Sequence, residues 1–360
     1  MPGAGYCQPL GDLIFAFIIV MDHIRISIPI LALILFLSCS DNKNNIIGID
    51  PELQSKWKVC ETAPKSWIEN VFFNSNNEIF VTGDDDLSRS SDYGITWTKI
   101  YYRPLVATTN PNNDDIYTAT FAGLNGWATV SRDNGSTWVE LPGIYGSVSG
   151  FYFTSNGRII LTRFSHDESY GGIQFSDDNG QTWSWSNLTQ YAAVFDLVMC
   201  SDTYMIITAL NFENGLYEIH QSADTGETWN VIDSPDANMY QLRHMENLSY
   251  NTLIGGSNSL FISNNLGLSW NEINVFKEHS VEDIYTNDDI IFVLSYEKGE
   301  NPIYYFSYSV DAGNNWILMN DSKFTSELWS IGIDDKDFIY IGTQSSGLLK
   351  SKFQVNELIN

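Results

Sequence analysis

The sequence predicts an all-β protein: a seven-bladed β-propeller of four-stranded antiparallel blades, with the last blade closed by the N-terminal strand. Three observations predict it. Six eight-residue segments ending in tryptophan recur at separations of 41, 45, 46, 41 and 46 residues. Between them the chain reads as short apolar runs divided by polar turn residues, three runs before each segment and one after it. Beyond the N-terminal region no long stretch repeats its apolar residues with a helical period. Four strands in roughly 40–45 residues is the repeat of a propeller blade.

Taken in order along the chain, residues 1–38 read as a targeting segment. They carry two apolar runs, Leu13–Met21 and Ile26–Leu37, and Met21 is the better start because "MDHIRIS" places Arg25 just before the second run. A charged start, a short apolar core and small residues before a cut describe a secretory signal. The "FLSC" stretch resembles a bacterial lipobox, which implies lipidation at Cys39. Residues 39–55 then form a tether, residues 56–352 the propeller and residues 353–360 a C-terminal tail.

The blades follow one plan. After Trp183, strands are expected at Ala193–Cys200, Tyr204–Leu210 and Leu216–Ser222, the last leading into the next segment. A seventh unit runs through "ELWSIGID", "FIYIGT" and "GLLKSK", but the repeated segment is missing where it should begin, at Ser351. The fourth strand of that unit is expected from "KWKVC", Lys56–Cys60, which resembles the strands that follow the segments and would cover two exposed strand edges.

The segments themselves are "SSDYGITW", "SRDNGSTW", "SDDNGQTW", "SADTGETW", "SNNLGLSW" and "SVDAGNNW". Their acid–amide–glycine content suggests a calcium loop, and the spacing refuses it. Counted from Asp177 the sixth and twelfth positions are Thr182 and Leu188, and from Asp178 they are Trp183 and Thr189, where glycine and glutamate are required. A hairpin tip fits instead. The third residue (Asp92, Asp133, Asp178, Asp224, Asn265, Asp311) accepts from backbone N–H groups ahead of it. The glycine (Gly94, Gly135, Gly180, Gly226, Gly267, Gly313) supplies a positive φ, and the tryptophan (Trp97, Trp138, Trp183, Trp229, Trp270, Trp316) packs between sheets. Six copies make the segment scaffold rather than catalytic site.

The pattern S-x-D-x-G-x-T-W is similar to the Asp-box, or bacterial neuraminidase, repeat of the sialidase-like superfamily. The resemblance implies that the boxes sit on hairpins between third and fourth strands, away from the binding face. It spans sialidases, xyloglucan-active glycosidases, sortilin-type receptors and photosystem II assembly factors, so it implies a fold and leaves the function open.

Composition narrows the partners. The chain has 18 Lys plus Arg against 44 Asp plus Glu. Residues 1–38 hold Asp12, Asp22 and Arg25, which leaves 42 acidic and 17 basic residues and a net charge of −25. That excludes nucleic acid and an anionic membrane surface as partners; the membrane enters through the lipid anchor alone. With Cys7 and Cys39 set aside, Cys60 and Cys200 fall on nearly opposite sides of the ring, too far for a disulfide.

Strand order puts the second-to-third-strand loops and the inter-blade connections on the face opposite the boxes. There the loops at 163–171 and 297–302 are the longest of their class. They bring Arg163, His166, Asp167, Glu168 and Tyr170 to one loop and Glu300 to the other, with Arg103 in the "YYRP" connection on the same face. Aromatic and hydrogen-bonding groups together suit a sugar or a peptide. Asp167, Glu168 and Glu300 are the catalytic candidates, and Arg103, Arg163, His166 and Tyr170 the ligand-binding ones. Resemblance to sialidases implies three substrate-gripping arginines, and the six arginines of the mature chain do not supply them on that face. No metal site or cofactor is expected. The expected role is a monomeric, envelope-anchored propeller that binds an extracellular glycan or protein without catalysis. The alternatives are a glycoside hydrolase of the same fold and an assembly factor docking a protein partner.

Overall fold

The computed structural model describes residues 55–359 apart from 66, 84–85, 121–126, 145–146, 165–170, 189–191, 212–214, 234–241, 243, 250 and 288. The described strands form seven sheets of four, each antiparallel. The first strands of the blades are Asn70–Phe73, Val106–Thr109, Ser147–Phe153, Ala192–Met199, His244–Ser249, His279–Asn287 and Leu328–Ile333. Each touches the first strand of the next, and the seventh touches the first, so they form a closed inner ring. The blades are therefore radial sheets around a central channel. Their cores are the clusters of apolar side chains wedged between neighbouring sheets, because one sheet face alone cannot hide its Val, Ile and Leu residues from water.

The ring closes as the repeat count requires. Trp57–Val59 pairs antiparallel with Leu348–Gln354 as the fourth strand of blade seven, with Trp57 opposite Ser351 and Val59 opposite Leu349. Trp57 is fully buried, its indole 5.2 Å from Phe306 and 5.6 Å from Phe324, so the closing strand is anchored by an aromatic plug as well as by its ladder. Beyond it, the segment read as a tail continues that strand to Gln354 and turns into a short helix, Val355–Leu358, whose Leu358 packs into the same cluster.

Every box is a hairpin tip between third and fourth strands, stapled in one way. In the third copy Ser176 Oγ donates to Asp178 Oδ1 at 2.8 Å and accepts from the Gly180 N–H at 2.8 Å. Asp178 accepts the Thr182 N–H at 2.8 Å and the Thr182 hydroxyl at 2.6 Å. These bonds hold the Asp178 carboxyl down at about 2, the threonine hydroxyl contributing most. Asn265 does the same work as an amide, donating to Ser269 Oγ at 2.9 Å. The turn needs two left-handed residues, not one: the glycines have φ between +80° and +86°, and the residue before each, Tyr93 through Ala312, has φ between 54° and 64°. Box glycines also lean on the preceding blade. A Cβ on Gly135 would lie 2.7 Å from Ile100, and one on Gly180 2.7 Å from Leu141. Trp229 alone of the six tryptophans is buried, and the others are half-buried along the seam.

Candidate ligand-binding face

The arginines show how much of the polar inventory the scaffold consumes. Arg89 donates to the Asn134 carbonyl at 2.7 Å, Arg132 to the Asn179 carbonyl at 3.2 Å and Arg158 to the Thr225 carbonyl at 3.1 Å. Each acceptor is the left-handed fourth residue of the next box, so three arginines tie successive box hairpins together. Arg158 also pairs with Asp177 at 2.7 Å and Glu227 at 3.0 Å. At the seam between blades seven and one, Tyr340 takes over and donates to the Tyr93 carbonyl at 3.3 Å.

On the opposite face, the structure separates the sequence candidates. Arg163 is 1 % exposed: it donates to Gln174 Oε1 at 2.5 Å and stacks on Trp185, so it is buried against the third and fourth strands of blade three. Arg103 is exposed beside the Tyr102 ring, and Glu300 is exposed in the loop between the second and third strands of blade six. These two sit on different blades. His166, Asp167, Glu168 and Tyr170 lie outside the described residues, as do Cys39 and the segment before it. Glu297, another carboxylate of the blade-six loop, accepts the Tyr305 hydroxyl at 3.5 Å.

Aromatic groups that sequence reasoning passed over are prominent on this face. Trp67, in the connection from the closing strand to blade one, is 51 % exposed. Its ring lies 6.3 Å from that of Trp329, the second residue of the first strand of blade seven, with planes 39° apart. Trp329 donates its indole N–H to Glu327 Oε2 at 3.0 Å, which fixes the ring. Tyr102 and Trp127 are 56 % and 44 % exposed on blades one and two. At the seam of blades three and four, Phe164, Phe195 and Tyr217 form a row with centroids 6.0 and 5.7 Å apart. The tryptophans were legible as exceptions: Trp67 and Trp329 belong to no box, so the repeat gives them no structural duty.

A second concentration of polar groups lies in the channel. A cavity of about 410 Å³ is lined by Tyr152, Asp196, His244, Glu246, Asn247 and Asp283 among others. Two of the carboxylates serve the ring. Asp196 accepts the Met245 N–H of the next blade at 2.6 Å, and Asp283 accepts the Ile331 N–H at 2.7 Å. Ser330 repeats the clasp, accepting from the Val71 N–H at 3.0 Å. All three residues follow a slip of register in the first strand, between Val194 and Asp196, Val281 and Asp283, and Leu328 and Ser330. The bulge turns the side chain toward the neighbouring blade. Burial pushes the Asp196 carboxyl up to about 6 and Asp283 to about 7. Glu246, which makes no such clasp, is pushed up to about 8 by burial, with the Asp196 and Asp283 charges adding to it. His244 Nδ1 stands 3.8 Å from Asp283 Oδ1. Among the described residues no group of three or more His, Cys, Asp or Glu side chains is arranged to hold a metal ion.

Comparison with known proteins agrees with this architecture. The BNR/Asp-box repeat family matches residues 174–184, the third box and its flanks. The chain is a seven-bladed β-propeller that carries an Asp-box repeat. None of the curated proteins matches this propeller. Its fold is similar to that of the GH74 xyloglucanase from Xanthomonas campestris, with a TM-score of 0.65, 15 % identity over 82 % of this chain and 53 % of that one. It is also similar to YCF48 bound to D1 peptide, with a TM-score of 0.59 and 18 % identity over 86 % of this chain and 100 % of that one. A third is the extracellular domain of a putative hybrid two component system from B. thetaiotaomicron, with a TM-score of 0.63 and 11 % identity over 84 % and 40 %. The propeller thus spans about half or less of the xyloglucanase and of the extracellular domain, and at these identities the likeness concerns the fold alone.

Proposed function

We propose that this propeller is an extracellular binding module of the bacterial envelope, held to the membrane by a lipid on Cys39, that takes a glycan or protein on the face opposite its boxes without chemically changing it. One observation carries the reading. Large aromatic side chains, Trp67, Tyr102 and Trp127, remain about half exposed on that face although burial would stabilise each by several kcal/mol. Exposed aromatics of this size mark recognition surfaces. The charge balance agrees, since an acidic propeller repels nucleic acid. Similarity to an extracellular domain and to a peptide-bound propeller supports the location and the manner of binding.

The test combines a glycan array, co-purification from envelope extracts and a reducing-sugar assay on the same purified protein. Binding of a glycan or of one stoichiometric protein, with no reducing ends released, is the expected result. Release of reducing ends that Glu168→Gln or Glu300→Gln abolishes would overturn it in favour of a glycoside hydrolase. Incorporation of labelled palmitate, lost in Cys39→Ala, checks the anchor.

A further inference from the structure

We infer that Trp67 and Trp329 form a preorganised stacking platform for a neutral glycan, at the junction of blades seven and one. The inference rests on the proposed binding function and gives it a place and a ligand class.

The platform is built, not incidental. Two second strands leave out a side chain where the Trp67–Ile68 backbone passes. On the blade-one side a Cβ at Gly83 would overlap the Trp67 carbonyl oxygen, and on the blade-seven side a Cβ at Gly342 would lie 2.5 Å from the Ile68 carbonyl oxygen. The Ile68 N–H donates to the Thr343 carbonyl at 2.9 Å, and Ile68 itself is fully buried. The backbone under Trp67 is thus clamped between two blades while its indole stays half in water. Holding a large apolar group rigid and exposed stabilises no part of the fold. It removes the ordering cost from a binding event.

The surroundings select the ligand. Glu327 fixes Trp329, and the Gln344 N–H donates to the Glu327 carbonyl at 2.9 Å, which brings exposed Gln344 and Ser345 to the edge of the platform. Flat apolar faces rimmed by carboxylate, amide and hydroxyl groups match a sugar ring, whose C–H face stacks and whose edge hydroxyls hydrogen-bond. The carboxylate and the net negative charge disfavour uronic acids and sulfated sugars.

Affinity electrophoresis tests this, using native gels containing xyloglucan, galactomannan or hydroxyethylcellulose as neutral polymers and polygalacturonate as the anionic contrast. The expected result is retardation by at least one neutral polymer and none by polygalacturonate. Trp67→Ala and Trp329→Ala should each weaken it about tenfold or more, as loss of a stacking anchor does. Trp67→Phe should keep most of it, and Leu268→Ala, on the box face, all of it. Circular dichroism checks that each variant folds. Retardation that persists in Trp67→Ala, or that polygalacturonate matches, overturns the inference. So does the absence of retardation by all three neutral polymers, which leaves the proposed function resting on a protein ligand. Reducing ends accumulating in the gel slices would instead overturn the proposed function, whichever residue carried the binding.

Discussion

Replacing Glu246 by glutamine should stabilise this propeller at alkaline pH and do little at acidic pH. Glu246 lines the channel cavity with Asp196 and Asp283, two carboxylates that cannot leave because they clasp the N–H groups of Met245 and Ile331. Burial and those neighbours raise the Glu246 carboxyl from 4.5 to about 8. A carboxyl raised in the folded state holds a proton that the unfolded chain releases. Its contribution is therefore complete below about 4.5 and is lost as pH climbs through about 8. At about 1.4 kcal/mol per unit, the full shift corresponds to a loss on the order of 5 kcal/mol by pH 9. Water entering the channel screens part of it, so about 2–3 kcal/mol is the expected gain from Glu246→Gln at pH 8. Urea unfolding at pH 5 and pH 8 reads the difference directly. Wild type should lose stability between the two pH values; the variant should lose less, keeping only the part that Asp196 and Asp283 contribute. An equal effect of the substitution at both pH values would refute the reasoning, because it would show a change in packing rather than the removal of a titrating group. A loss of stability at pH 8 would refute it more strongly, since the charged carboxylate would then be a net stabiliser.

The boxes and their seams give three further expectations. Trp229→Ala removes a tryptophan that is 4 % exposed and donates to the Gly226 carbonyl at 3.0 Å, and should cost about 3–5 kcal/mol in denaturant unfolding, more than Asp224→Ala in the same hairpin. Thr225 sits at φ 64°, a conformation costly for a β-branched residue, whereas boxes two and three carry Asn134 and Asn179 there. Thr225→Asn should therefore raise stability by about 0.5–1 kcal/mol, and no gain would show that the Arg158 staple already removes the strain. Asp178→Asn should melt close to wild type because Asn265 performs the same capping naturally, while Asp178→Ala should melt clearly lower in a thermal scan.

How much of this was legible depends on whether a feature repeats. The blade count, the box hairpins and closure by Trp57–Val59 could be read because six copies average out local ambiguity, and the missing seventh box marks the seam. Strand ends drifted by a residue or so: Tyr204–Leu210 was expected where Met205–Asn211 forms. Apolar runs do not say which flanking residue makes the last ladder bond. Arg163 shows the opposite limit. A cation beside a loop of His, Asp, Glu and Tyr reads as a ligand group, but the period-two alternation of Ile159–Phe164 turns its side chain inward onto Gln174 and Trp185.

The channel carboxylates were hidden for a different reason, and it bears on function. Asp196 and Asp283 stand inside apolar strands, "AVFDLVM" and "SVEDIYT", where a reader of alternation assigns one face to solvent. Their partners are N–H groups 48 or 49 residues further on, and local sequence carries no trace of a bond that long. Once those bonds are known, the inner polar groups divide by their duties. Asp196, Asp283 and Ser330 hold blade to blade, as Arg89, Arg132 and Arg158 do on the box face. What the ring does not use is then informative by subtraction. Glu246 makes no inter-blade clasp, and burial disfavours its charged form. Trp67 stays half exposed and is nevertheless clamped at its backbone. Groups that cost stability without serving the scaffold are where function is to be sought, and of these two the aromatic platform alone faces open solvent on the side that the repeats leave free.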